Sequence, residues 1–191
     1  MTTLAPTIYT RTFPGAAGWL RDSVLIVLGT LFVALLAQVK IPLSFTPVPL
    51  TGQTLAVLLV GATLGSKRGA LSMLLYIALG AFGLPVFAGG AAGLAYLSGA
   101  TLGYLIGFVI AAYVIGLLAE RGLERSVRTS ILPFLIGTVI IYICGVAWLT
   151  IVLGSISKAV MAGLVPFLIG DLIKLLAASL ALPVAWKFVK R

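Results

Sequence analysis

One long apolar run contains a single acid and a single amine: Leu164-Val-Pro-Phe-Leu-Ile-Gly-Asp-Leu-Ile-Lys-Leu-Leu-Ala-Ala-Ser-Leu-Ala-Leu-Pro-Val-Ala185. A helix of about 20 residues crosses the ~30 Å hydrocarbon core of a membrane, so this run predicts a spanning helix. Asp171 and Lys174 are three residues apart and would share one face of it. Each ionisable group costs about 2.5–3.5 kcal/mol at membrane depth and by default marks a functional site. The pair is therefore a candidate binding site for a small polar or anionic ligand, and the alternative is a salt bridge that only fixes helix packing.

The composition extends the membrane assignment to the whole chain. The 191 residues are 61% hydrophobic and 9% charged, whereas globular proteins average about 25% charged residues. We predict an all-α integral membrane protein, a compact six-transmembrane-helix bundle that forms a single domain over residues 1–191. The predicted helices follow a cytoplasmic tail at residues 1–21 and cover residues 22–40, 51–65, 69–82, 101–119, 131–153 and 164–187.

The basic residues predict the orientation of this bundle. Lys40 and Lys158 fall on one side of the predicted membrane, and ten other basic residues fall on the opposite side. Because Lys and Arg concentrate in cytoplasmic connections, both termini are predicted to be cytoplasmic in a multi-pass protein of the cell membrane, with its binding pair in the outer half. The same distribution explains the net charge of +9 without a nucleic-acid partner. The ten residues are Arg11, Arg21, Lys67, Arg68, Arg121, Arg125, Arg128, Lys187, Lys190 and Arg191.

Two uncharged outer segments, residues 41–50 and 83–100, are rich in proline and glycine. Proline breaks a helix, and irregular backbone at membrane depth is tolerated only inside protein or around a cavity. Interruptions of this kind are typical of membrane binding sites. We expect both segments to cover the charged pair.

The chain lacks several residue types and motifs used in catalysis and nucleotide binding, which limits the functions it can have. It has no histidine, one cysteine and four acidic residues. We therefore predict that it has no metal-ligand cluster, no His-based catalytic triad and no catalytic carboxylate pair. No enzyme activity, catalytic residue, metal site or cofactor is predicted. The sequence also lacks a recognisable nucleotide-binding motif, so energy for transport would come from an ion gradient or another subunit. One functional hypothesis is a self-sufficient secondary transporter of a small anionic or polar metabolite.

Four stretches, in order along the chain, together resemble the BioY-type S component, the biotin-binding membrane subunit of energy-coupling factor (ECF) transporters. They are Thr46-Pro-Val-Pro-Leu-Thr-Gly-Gln-Thr-Leu55, Gly83-Leu-Pro-Val-Phe87, Gly99-Ala-Thr-Leu-Gly-Tyr104 and Gly170-Asp-Leu-Ile-Lys174. The resemblance implies a six-helix bundle that captures biotin from the outer side as a transported ligand. It also implies delivery with a membrane coupling subunit and ATPase subunits.

The resemblance also implies site residues. Asp171 and Lys174 would contact the polar groups of biotin, and the outer loops would close over it. The looser matches to substrate-binding positions are Phe87, Gly89, Gly90, Thr101 and Tyr104. Small residues of the first helix, here Thr30 and Ala34, would dock the coupling subunit, although Gln38 breaks the four-residue spacing.

Overall fold

The computed structural model describes residues 3–189, which are mainly helical. Lys190 and Arg191, two of the basic residues used above, lie outside the described residues, as do Met1 and Thr2 of the predicted tail. Short 3-10 turns occur at Leu123–Arg125 and Val165–Phe167. The other elements are α1 (Leu4–Thr12), α2 (Gly18–Ala37), β1 (Lys40–Ile41), β2 (Leu50–Thr51), α3 (Gln53–Leu64), α4 (Ser66–Ala81), α5 (Leu94–Leu97), α6 (Leu102–Glu120), α7 (Val127–Leu153), α8 (Ile156–Gly163) and α9 (Leu168–Val189).

Four segments of the described chain are long and apolar enough to cross a membrane: α2, α6, α7 and the stretch Ile156–Val189, which includes α9. This makes the chain a multi-pass membrane protein. The other two predicted spans coincide with α3 and α4, which have 12 and 16 residues. At 1.5 Å per residue they cover about 18 and 24 Å, less than the ~30 Å of hydrocarbon.

Several boundaries differ from the sequence prediction; α2 begins at Gly18 rather than at residue 22, and α7 begins at Val127 rather than at residue 131. Part of the predicted tail forms helix α1, which accommodates Pro6 because the first N–H groups of a helix need no intrahelical acceptor. Arg11 of this helix donates to the main-chain carbonyl of Val189 and ties α1 to the end of α9. The last helix begins at Leu168 rather than at residue 164, because Pro166 lies in the preceding 3-10 turn.

Helix α6 lies at the centre of the bundle and packs on α3, α4 and α7. Its glycines bring it into backbone contact with α7. A Cβ atom at Gly103 would lie 2.3 Å from the carbonyl oxygen of Cys144, and one at Gly107 would lie 3.0 Å from the Cα of Ile141. Since small residues allow such close approach within a membrane, dispersion contacts hold these two helices together.

One end of the bundle, called here the ionic end, gathers most of the charged contacts of the described residues. Arg68 at the start of α4 pairs with Asp22 of α2, Nε to Oδ1, at 2.8 Å. A Glu120 carboxylate oxygen accepts from both the main-chain N–H and the hydroxyl of Ser66 at 2.8 Å. The carboxylate of α6 therefore satisfies a free N–H group at the start of α4.

The connection between α6 and α7 adds a buried acid to the ionic end. The Glu124 side chain is fully buried, and its Oε1 lies 3.6 Å from the Arg125 Nε. The Arg125 guanidinium stacks 4.6 Å from the centre of the Trp186 ring on α9. Burial raises the pKa of the Glu124 carboxyl above its ordinary value.

The opposite end, called here the loop end, is closed by the segment between β1 and β2. The two strands are antiparallel, with Lys40 opposite Thr51 and Ile41 opposite Leu50. Residues 42–49, the proline segment, turn back between the strands. The Thr46 hydroxyl donates to the Ala162 carbonyl of α8 at 2.6 Å and fastens this segment over the beginning of α9.

Candidate ligand-binding site

The centre of the candidate site is the ion pair in the first turns of α9. Lys174 Nζ lies 2.7 Å from Asp171 Oδ1, and the two side chains are 17% and 7% exposed. Asp171 occupies the first turn of the helix, where free main-chain N–H groups and the helix dipole favour an anion. The start of α9 therefore holds a nearly buried carboxylate and its ammonium partner within the protein.

The ammonium group of Lys174 is fully hydrogen-bonded. Besides Asp171, Nζ donates to the main-chain carbonyl of Thr51 at 2.7 Å and to the Thr54 hydroxyl at 2.8 Å. An ammonium group has three donors, so all of them are in use. A ligand acceptor must therefore replace one of these three partners.

The carboxylate of Asp171 retains acceptor capacity. Its Oδ1 also accepts from the Thr54 hydroxyl at 3.0 Å, and its Oδ2 accepts from the Tyr142 hydroxyl of α7 at 2.6 Å. With the Lys174 bond, three hydrogen bonds reach a group that has about four lone-pair sites. Asp171 can therefore accept from a ligand N–H without losing a present partner.

The pair faces a cavity of about 50 Å³, called here the inner cavity. A cavity needs roughly 10–15 Å³ to hold one water molecule, so this space has room for a few water molecules in this conformation. The lining combines aromatic and aliphatic walls with hydroxyl groups, as expected of a small-molecule site. The lining residues are Val48, Pro49, Leu50, Thr51, Gln53, Thr54, Tyr96, Thr101, Tyr104, Leu105, Phe108, Ile141, Tyr142, Phe167, Asp171 and Lys174.

A second cavity of about 210 Å³, the loop cavity, lies under the proline segment. It shares Pro49, Tyr96 and Thr101 with the inner cavity, so these three residues form the wall between the two spaces. Its remaining lining residues are Lys40, Pro42, Leu43, Thr46 and Pro47.

Among the predicted site residues, Asp171, Lys174, Thr101 and Tyr104 come together around the inner cavity. The Tyr104 hydroxyl donates to the carbonyl of Gly163 at 2.6 Å, which fixes its ring against the start of the last membrane segment. The structure thus gathers residues that are separated by up to about 70 positions in the sequence.

Phe87, Gly89 and Gly90 do not line either cavity, and Phe87 packs behind the dividing wall. The fully buried Phe87 ring stacks on Tyr96 with 4.7 Å between the ring centres. Gly89 and Gly90 have φ angles of +69° and +78°, which glycine adopts without strain. The contact of these three residues with a ligand stays a prediction.

Of the two predicted docking residues, Thr30 is turned inward. Its side chain is 1% exposed, and its hydroxyl donates to the Ser72 carbonyl of α4 at 2.9 Å. Its side chain is therefore not part of the outer surface of α2 in this conformation, and the docking role of Thr30 stays a prediction. Ala34 is half-buried, and the neighbouring outward positions Leu31 and Leu35 are 54% and 65% exposed.

Three hydrogen-bond partners of the ion pair were not among the predicted site residues: Thr51, Thr54 and Tyr142. Thr51 and Thr54 lie within the quoted Thr46–Leu55 stretch, where two threonines follow the last proline, and this spacing could have indicated them. Tyr142 carries a hydroxyl within the long apolar helix α7, which is a weaker signal. Only tertiary contact reveals that it reaches Asp171.

The chain is similar in sequence to known proteins. The chain is 44% identical over 153 residues to the biotin transporter BioY of Thermotoga maritima, covering 78% of this chain and 88% of that protein. It is 38% identical over 168 residues to the biotin transporter BioY of Rhizobium etli, covering 84% of this chain and 90% of that protein.

A solved structure is also similar over nearly the full length. The crystal structure of the S-component for biotin from an ECF-type ABC transporter matches with a TM-score of 0.81 and 26% identity, covering 91% of this chain and 95% of that one. The model of the BioY family matches residues 5–191. The membrane fold, the nearly buried ion pair and these similarities lead to one assignment: the chain belongs to the BioY family.

Proposed function

We propose that this protein is the biotin-binding S component of an ECF transporter, and that it binds biotin beside Asp171 and Lys174. The observation that carries the proposal is the nearly buried ion pair in the inner cavity, in a chain whose relatives are named biotin transporters. It is not an enzyme: the family consists of transport proteins. Biotin is the transported ligand.

The polar head of biotin suits the hydrogen-bonding capacity of the pair. Its ureido ring offers N–H donors and a carbonyl acceptor, and Asp171 has a free lone-pair site for a donor. Lys174 can bind a ligand oxygen by exchanging Thr51 or Thr54 for it. Charge-assisted hydrogen bonds contribute about 1.5–3 kcal/mol, so losing one should weaken binding roughly 10- to 150-fold.

Binding requires more space than the inner cavity has in this conformation. At about 50 Å³ it is smaller than the roughly 300–1,000 Å³ of typical ligand pockets. The loop cavity beyond Pro49, Tyr96 and Thr101 is the adjacent space. We expect the dividing wall and the proline segment to move when biotin enters.

The proposal includes a six-helix arrangement in which α3 and α4 complete the membrane bundle, with both termini cytoplasmic. Under it, the loop end faces outward and biotin enters there. The support is the charge distribution: Lys67, Arg68, Arg121 and Arg125 lie at the ionic end, and Lys40 lies at the loop end.

Uptake would depend on partner subunits, namely a membrane coupling subunit and ATPases. The sequence lacks a recognisable nucleotide-binding motif, and Asp171 is already engaged by Lys174, Thr54 and Tyr142. We place the docking surface on the outward face of α2 around Ala34. Leu31 and Leu35 extend this exposed apolar face.

The test is titration of the purified protein with biotin by calorimetry, together with mass spectrometry of any ligand released from it. We expect the unmodified protein to bind and Asp171→Asn and Lys174→Met to lose at least tenfold in affinity. No binding by the folded unmodified protein would reject the proposed function. In liposomes, accumulation of biotin against a gradient without partner subunits would reject their proposed role.

A further inference from the structure

Lys40 is a second cation beside the ligand site. It lines the loop cavity, and Lys174 lines the inner cavity; no other lysine or arginine lines either space within residues 3–189. The side chain of Lys40 is exposed, and none of the acidic side chains described in the structure pairs with it. An exposed ammonium group that lines a cavity is available to an anionic ligand group.

Two contacts fix this position. Lys40 is the cross-strand neighbour of Thr51, and the carbonyl of Thr51 accepts a hydrogen bond from Lys174. The two lysines are therefore linked through one residue, Thr51. Directly opposed residues in an antiparallel pair have Cα atoms about 4.5–5.5 Å apart. The stem of Lys40 also passes beside Gly89, where a Cβ atom would lie 2.7 Å from its Cδ and 3.3 Å from its Nζ. The absence of a side chain at Gly89 leaves the space that Lys40 occupies.

We propose that Lys40 forms a carboxylate subsite in the loop cavity, which holds the acid end of the ligand while Asp171 and Lys174 hold its polar head. This inference rests on the proposed function, because biotin has a ureido head and a carboxylate separated by a saturated tail. The carboxylate is ionised at neutral pH. The three residues shared by the cavities, Pro49, Tyr96 and Thr101, then surround the apolar tail between the two polar ends.

The subsite assigns different roles to the two lysines. If Lys40 binds the carboxylate, its loss affects only ligands with a charged tail. Loss of Lys174 affects the head and weakens charged and uncharged ligands alike. Lys158 of α8 is the matched control: it is also exposed near the loop end, carries the same charge and lines neither cavity.

The experiment measures the affinity of biotin and of biotinamide, in which an uncharged carboxamide replaces the carboxylate. We expect the unmodified protein to bind biotin roughly 3- to 10-fold more tightly, because an ion pair open to solvent contributes about 1 kcal/mol. Lys40→Met should bring this ratio close to one and leave biotinamide affinity unchanged, which also verifies folding. Lys158→Met should keep the ratio of the unmodified protein, and Lys174→Met should weaken both ligands.

Three outcomes would overturn the subsite. In the first, Lys40→Met keeps the full preference for biotin. In the second, Lys174→Met abolishes the preference, which would place the carboxylate at Lys174. In the third, Lys158→Met lowers the preference as much as Lys40→Met, so that only net charge matters. Failure of the proposed function looks different, because the unmodified protein would then bind neither biotin nor biotinamide.

Discussion

Replacing Lys174 alone should destabilise the protein more than replacing both members of the ion pair. Lys174→Met removes all three ammonium hydrogen bonds and leaves the Asp171 carboxylate, 7% exposed, with only Thr54 and Tyr142 as side-chain donors. Removing one partner of a buried pair costs about 3–5 kcal/mol. Because Lys174 is 17% exposed, we expect a value at the lower end, about 3 kcal/mol.

The double variant Asp171→Leu, Lys174→Leu removes both charges together. It leaves the Tyr142 hydroxyl without its acceptor, at about 1–3 kcal/mol, whereas the Thr54 hydroxyl can turn to a main-chain carbonyl one helical turn back. Apolar packing of the two leucines offsets part of that loss. We therefore expect the double variant to be about 1–2 kcal/mol more stable than Lys174→Met, and both variants to bind biotin at least tenfold more weakly than the unmodified protein.

The assay is thermal melting in detergent followed by biotin titration of the same preparations. The unmodified protein should melt highest and Lys174→Met lowest. A folded double variant that binds biotin with nearly unchanged affinity would show that the pair serves packing alone. Melting of Lys174→Met at the unmodified temperature would contradict the energetic argument.

Three further changes test other parts of the structure. Gly80→Ala should lower the melting temperature, because its Cβ atom would lie 2.1 Å from a buried aromatic ring. Gly18→Ala is the control and should change the melting temperature little, because nothing lies within 4 Å of its Cβ position. Equal effects of the two substitutions would contradict the packing argument. Burial raises the pKa of Glu124, so the folded state binds that proton more tightly and stability falls as pH rises above the unfolded value of about 4.3. Glu124→Gln should therefore raise the melting temperature at pH 8 but not at pH 4, and a gain at both would indicate a cause other than ionisation. In a cysteine-free background, a cysteine at position 158 should react with an impermeant reagent in intact cells and one at 67 should not; the reverse pattern would reject the proposed orientation.

The sequence predicts which site residues share a face of one helix, but it does not predict contacts between different helices. Asp171 and Lys174 could be placed together because helical periodicity alone puts residues three apart on one face. Tyr142 could not, because its contact with Asp171 depends on how α7 crosses α9. Membership of an apolar run says nothing about which face of a helix meets which neighbour.

The same limit applies away from the site. Thr30 has the small size expected of a docking residue, but spacing along α2 does not distinguish a face toward a partner from the face toward α4. The apolar run after Leu164 hides the break before α9, since the 3-10 turn Val165–Phe167 has the composition of a membrane helix. Composition determines that a segment is buried in lipid or protein, and packing determines its contacts.

The full set of partners around the Lys174 ammonium has a thermodynamic consequence for ligand capture. Since every N–H of that group already has an acceptor, a ligand oxygen exchanges one hydrogen bond for another, and the enthalpy gained there is only the difference between the two bonds. Apolar contact between the ligand and the walls around Tyr96 and Phe108 must then add to the free energy that the polar contacts supply. Calorimetry at several temperatures should therefore give a negative heat-capacity change on binding, the signature of buried apolar surface.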